Sequence, residues 1–117
     1  MTQNLMLQAA GVCAIIVALY HGVVGDRLVQ AMAIEPAGQK QLMRGSFHIG
    51  TMGWLTGGIL LFVAATLDAG LARNAIVLAY AFVFGIPAIG QVVMSKGRPN
   101  FGMVMLILVV ILSLLGR

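Results

Sequence analysis

Residues 5–25 read LMLQAAGVCAIIVALYHGVVG, from Leu5 to Gly25, without an Asp, Glu, Lys or Arg. A helix rises about 1.5 Å per residue, so a run of this length covers the roughly 30 Å hydrocarbon core of a bilayer. Lipid offers the backbone no water, and a helix satisfies its own N–H and C=O groups. Three more apolar runs follow, at 46–66, 72–94 and 101–115. The fourth is the shortest and most uniformly apolar. It is expected to cross with little tilt or with local thinning of the bilayer. The expected fold is an all-α membrane protein: one domain, 1–117, built as an antiparallel bundle of four transmembrane helices.

Composition points the same way. The chain is 61% hydrophobic and 9% charged, against about 45–50% and 25% in an average soluble domain. A soluble fold of this size could not cover its surface with so few charges. The net charge of +4 comes from seven Lys and Arg residues scattered between the apolar runs. They form no basic stripe interleaved with aromatics, so nucleic acid is not an expected partner. The single cysteine, Cys13, excludes an internal disulfide and any C-x-x-C motif. No basic segment precedes the first run, which is therefore expected to be a retained span and not a cleaved leader.

The breaks between runs set the topology. The first, 26–45, contains Glu35-Pro36-Ala37-Gly38. Its flanks, 28–34 and 39–43, are mixed enough to continue both helices into a hairpin. The second is 68–74, with Gly70 read as a C-cap, and the third is 95–100, with Pro99 close to the next helix start. Arg27, Lys40, Arg44, Lys96 and Arg98 fall in the first and third breaks, while Arg73 and Arg117 fall on the other side. This asymmetry places the first and third loops in the cytoplasm and both termini outside, as in a bacterial inner-membrane protein.

Small residues recur at helical spacing. Gly11, Ala14, Ala18, Gly22 and Gly25 line one face of the first span. Ser46, Gly50, Gly53 and Gly57 line one face of the second, where Gly53 and Gly57 form a G-x-x-x-G. Such stripes let helices approach closely, within one chain or across a homodimer.

Ionisable groups inside apolar spans are the candidates for function. His21 and His48 both lie near the hairpin end of their spans. A hairpin turning at Pro36–Ala37 sets them about one helical turn apart in height. Imidazoles so placed suit a proton, a metal or a haem iron, although no carboxylate or cysteine within the spans completes a zinc site. Asp26 and Arg27 follow the first span at the end of its helix, and Arg44 stands at i, i+4 from His48, with Thr51 continuing that face. Asp26 is expected to neutralise Arg44 or Arg27, with the arginines directed at an anion or a lipid headgroup. In the third span, Tyr80, Phe84, Pro87 and Gln91 share a face, Pro87 frees a carbonyl, and Gln91 requires a polar partner. The eight methionines are dispersed and read as packing fillers.

In size and four-span outline the chain resembles the small multidrug resistance transporters and the small dual-topology fluoride channels. It departs from both in the residues those families use. The first span has no carboxylate before Asp26, and the second has no asparagine, so no functional residue is carried over. The pattern His21-x-x-x-Gly25-Asp26-Arg27 with Arg44-x-x-x-His48 resembles one in small bacterial membrane proteins and implies no activity.

Three functional readings follow. The leading one is binding or transport of a small anion, lipid headgroup or proton-coupled solute, in a polar cavity between the first three helices. Its expected lining is His21, Arg44, His48 and Gln91, with Asp26 and Arg27 at its edge. The second is a haem- or metal-binding redox module using His21 and His48. The third is an accessory subunit docking through its glycine faces. No nucleophile with an adjacent base, paired carboxylates or phosphate loop is present, so enzymatic activity is not expected, and the cofactor is left open, with His21 and His48 the candidates for a metal.

Overall fold

The computed structural model describes all residues, 1–117, and contains four helices and no strand. These are α1 (Thr2–Ala31), α2 (Ala37–Thr66), α3 (Leu71–Met94) and α4 (Phe101–Leu115). The first three are long and apolar enough to cross a membrane, and α4, with 15 residues, is shorter. At about 1.5 Å per residue, a 30-residue helix measures about 45 Å, in keeping with the 51 Å long axis of the molecule.

Most of the expected first break is helix: α1 runs to Ala31, α2 begins at Ala37, and only 32–36 is left as the turn. Lys40 closes it, its Nζ donating to the backbone oxygens of Gln30 (2.7 Å) and Met32 (3.0 Å) at the end of α1. Pro36 caps the start of α2 in extended conformation, which suits a residue with no N–H to donate. Gly70 is not a C-cap. It precedes α3 as its N-cap, and α2 ends at Thr66 with Leu67 as its C-cap. The α3–α4 turn closes with bonds from Gly97 N–H to Val92 O and from Lys96 N–H to Val93 O. Lys96 and Gly97 carry the positive φ values, 52° and 74°, that this C-cap requires. Asn100 then caps α4, its Oδ1 accepting from Met103 N–H at 2.9 Å.

Neighbouring helices run antiparallel. Gly11 of α1 meets Gly58 and Phe62 of α2, and Gly25 meets Phe47. Gly57 of α2 seats Tyr80 and Phe84 of α3. Tyr20 of α1 packs edge-on against Phe101 at one end of α4, while Gly116 rests on Leu7 at the other. The cross-section is a ring in which α1 touches α2 and α4, and α3 touches α4 more extensively than α2.

The interior is built from small side chains around a few large ones. Ala10, Ala14, Ala18, Ala64, Leu7, Leu61, Phe84 and Val109 are fully buried. The outer surface is where large apolar residues lie: Ile49, Phe82, Ile89, Val93 and Leu71 are all exposed. A soluble protein does not cover itself this way. It is the arrangement expected where the solvent is hydrocarbon and association depends on close packing.

The glycine stripes divide into working and idle positions. A Cβ on Gly58 would stand 2.9 Å from the Gly11 carbonyl oxygen, and one on Gly11 would stand 2.8 Å from that of Gly58. These two residues mark the backbone-to-backbone crossing of α1 and α2, although Gly58 lies outside the G-x-x-x-G. Gly22 admits Thr51, Gly57 admits α3, and Ala18 is buried as its stripe implies. Gly53 takes no part in packing within the chain: it is exposed and a Cβ there meets nothing within 4 Å, while Gly50 meets only the His21 imidazole at 3.7 Å. Gly58→Ala is therefore expected to destabilise by about 1–3 kcal/mol through overpacking against backbone. Gly53→Ala should be neutral or stabilising through helix propensity. Thermal unfolding in detergent, followed by Trp54 fluorescence, separates the two.

Candidate functional site

The polar groups concentrate at the hairpin end of α1 and α2. On α1, Gly22, Asp26 and Gln30 succeed one another at i, i+4 and so share a line. On α2, Arg44, His48 and Thr51, at i, i+4 and i+7, share one too. Thr51 fits against Gly22, where a Cβ would stand 3.0 Å from both its Oγ1 and Cγ2. That contact brings the two lines together.

Asp26 is the hub. Arg44 Nε donates to its Oδ1 at 2.7 Å and Arg44 Nη2 to its Oδ2 at 3.3 Å, a bidentate pair. Gln30 Nε2 donates to Oδ2, and His48 Nε2 lies 3.4 Å from Oδ1. Asp26 is 20% exposed and Arg44 33%, whereas His48 is 54% exposed. Both members of the pair lie just beyond the apolar runs 5–25 and 46–66. The Arg44 guanidinium, chiefly through its hydrogen bond, holds the Asp26 carboxyl below the ordinary carboxylate range, and Asp26 in turn raises Arg44. Of the two arginines the sequence offered as partners for Asp26, the structure pairs Arg44.

The expected single cavity is two clefts, on opposite sides of the α1–α2 seam. The first, about 490 Å³, is lined by Gly22, Asp26, Arg27, Gln30, His48 and Thr51 among others. Arg27 is exposed there and makes no ion pair or hydrogen bond with a protein side chain. The second, about 470 Å³, lies among α1, α2, α3 and α4, and His21, Phe47, Trp54 and Gln91 line it. His21 stacks between Phe47 and Trp54, with ring centroids 5.1 and 4.6 Å away. The small residue at Gly25 makes this possible, since a Cβ there would collide with the Phe47 ring.

His21 and His48 therefore face different clefts, and the geometry does not bring the two imidazoles to one ion. No group of three His, Cys, Asp or Glu side chains comes together elsewhere. Gln91 shares a cleft with His21 but not with His48 or Arg44. The register explains the division. With Gly22 opposite Thr51 and Gly25 opposite Phe47, positions 21 and 48 fall on either side of the contact line.

One buried charge escaped the sequence reading. Arg73, placed there in a loop, belongs to the first turn of α3 and is only 4% exposed. Its Nη1 donates to Asn4 Oδ1 (2.7 Å) and to the Leu67 carbonyl (3.2 Å), and its Nη2 to the Gly116 carbonyl (2.6 Å). One guanidinium thus ties α1, the end of α2 and the end of α4 to α3. Its partners are mostly backbone oxygens near helix C-termini, which carry no residue-type signature.

The features together define a small all-helical, membrane-type chain with a polar cluster at one end and a guanidinium clamp at the other. No protein-family model matches it, and neither a curated protein nor a solved structure matches it significantly.

Asp26→Ala and Arg44→Ala should each lower the melting temperature in detergent, and the double variant should melt no lower than the worse single one. Because the folded carboxyl is held below its unfolded value of about 4, the stability this pair supplies is complete at neutral pH. It is lost as pH falls through the folded value. Arg73→Ala should cost about 3 kcal/mol or more, since it leaves a side-chain oxygen and two carbonyls without their donor. Arg73→Lys should recover only part of this, because an ammonium cannot span the fork.

Proposed function

We propose that all four helices cross a bilayer with the hairpin end in the cytoplasm, and that the first cleft binds a phosphate-type anion, carried by an acidic phospholipid headgroup or free in solution. The supporting observation is the charge arrangement at Arg27. Asp26, the one carboxylate in the cleft, is already engaged by Arg44. This leaves Arg27 as a cation without a partner beside the His48 imidazole and the Gln30 amide. A guanidinium in that position recognises phosphate through paired N–H donors.

The location agrees with the chemistry. Arg27, Lys40, Arg44, Lys96 and Arg98 all belong to the hairpin end or the neighbouring α3–α4 turn. Residues there meet the negative surface of a cytoplasmic leaflet, which attracts basic side chains. Arg27 on α1 reaches that level with its aliphatic stem along the apolar surface and its head outward. The fourth helix, though short, crosses in this reading with little tilt.

The test is ligand-induced stabilisation of purified protein in detergent. Short-chain phosphatidylglycerol should raise the melting temperature, and phosphatidylcholine of the same chain length should not. A ligand at a hundredfold excess over Kd stabilises by about 2.7 kcal/mol. Inorganic phosphate stabilising at millimolar concentration would assign the site to a free anion, and no effect of phosphate would assign it to the lipid. Arg27→Ala combined with His48→Ala should abolish the effect. Equal stabilisation by both lipids, or full stabilisation retained in that variant, would refute the proposal.

A further inference from the structure

The second cleft has different chemistry. No Asp, Glu, Lys or Arg lines it. It does hold polar side chains that the protein leaves unused: Tyr20, His21 and Gln91 line it, and none of the three makes a side-chain hydrogen bond. Asn100 joins them at the mouth. Its Oδ1 is taken by the cap to Met103 N–H, which leaves its amide N–H₂ as a donor.

We propose that this cleft binds a neutral, flat, carbonyl-bearing ring on a lipid-soluble tail, the chemistry of a quinone headgroup. The absence of charge disfavours an ion, which would have to shed its water with nothing to replace it. The donors available are an imidazole N–H, a phenol O–H and two primary amides, all suited to carbonyl oxygen. The walls are aromatic: Trp54 and Phe47 line the cleft, their ring centroids 4.6 and 5.1 Å from that of His21. Electron-rich indole and phenyl faces stack on an electron-poor ring. A plain acyl chain would fill the same space and leave every donor unpaired, which lipid surroundings penalise.

Access is consistent with this occupant. Leu28 and Met94 line the cleft at the hairpin-side ends of α1 and α3 and are both exposed, where the apolar runs give way to polar residues. A ligand dissolved in the bilayer reaches the cleft sideways, and its tail stays outside among the lipid chains. The volume of about 470 Å³ falls within the range of roughly 300–1,000 Å³ typical of small-molecule sites. The inference is independent of the anion cleft, which lies across the α1–α2 seam and shares none of these residues.

Trp54 is the chain's only tryptophan and lines the cleft, so its fluorescence reports occupancy directly. Titration of the detergent-solubilised protein with decylubiquinone should quench Trp54 saturably. Gln91→Leu should raise the apparent Kd at least tenfold, and His21→Ala should do the same, while Arg27→Ala leaves it unchanged. Gln91 is on the exposed side of α3, so its replacement preserves folding and decides the matter even where His21→Ala does not fold. Decanol, a tail without the ring, should fail to displace the quinone. Quenching that rises linearly with the quinone-to-detergent ratio and is identical in Gln91→Leu would overturn the proposal. Displacement by decanol at comparable concentration would overturn it too, reducing the cleft to a groove for lipid tails.

Discussion

The rest of the structure depends on the approach of α1 and α2 at Gly11 and Gly58. Each glycine lets the other's carbonyl oxygen come to where a Cβ would otherwise stand. Where hydrocarbon surrounds the helices, apolar burial gives little net drive to association, and shape complementarity replaces it. A crossing this tight has one register. That register sets Thr51 on Gly22 and Phe47 on Gly25, and so decides which side of the seam each polar residue occupies. Asp26 meets Arg44 and His48 on one side, and His21 meets Phe47 and Trp54 on the other. A hairpin shifted by one residue would turn both sets of side chains off their partners.

The polar groups follow a consistent economy of position. Formal charges stay near the ends of the helices, where they are paired, as in Asp26 with Arg44, clamped by carbonyls, as in Arg73, or exposed, as in Arg27. Neutral polar side chains are the ones carried deeper, lining a cleft that no charge reaches. This ordering matches the cost of moving each type out of water, which is greatest for an unpaired ion and smaller for an amide or imidazole. The two ends also differ in construction. One guanidinium binds the terminal end together, while a salt bridge and a lysine cap close the hairpin end around exposed cations.

Much of this was legible in the residues themselves. Four uninterrupted apolar runs separated by turn residues leave a chain little choice but four helices, and the structure holds four helices and no strand. The stripe of Gly11, Ala18 and Gly22 announced the packed face of α1 because small residues at i, i+4 have a direct steric meaning. Gly53 follows the same spacing but meets nothing within 4 Å in the single chain. Spacing along one helix says which residues share a face, but not which face the partner takes. The division of His21 from His48 was hidden for that reason, as it turns on the rotation of α2 against α1. Arg73 was hidden for another: its partners are backbone carbonyls and one asparagine from distant parts of the chain. Such bonds leave no pattern of charge or spacing.

The central claim is that the large apolar side chains outside the bundle face hydrocarbon while the small ones inside face one another. Spin labelling tests it directly in a Cys13→Ala background reconstituted in lipid, with a nitroxide placed at position 82 or 84 of α3. Phe82 is exposed and Phe84 fully buried. The label at 82 should collide freely with oxygen and hardly at all with a polar nickel chelate, and the label at 84 should collide with neither. Ready collision of the label at 82 with the nickel chelate would place that surface in water and contradict the account.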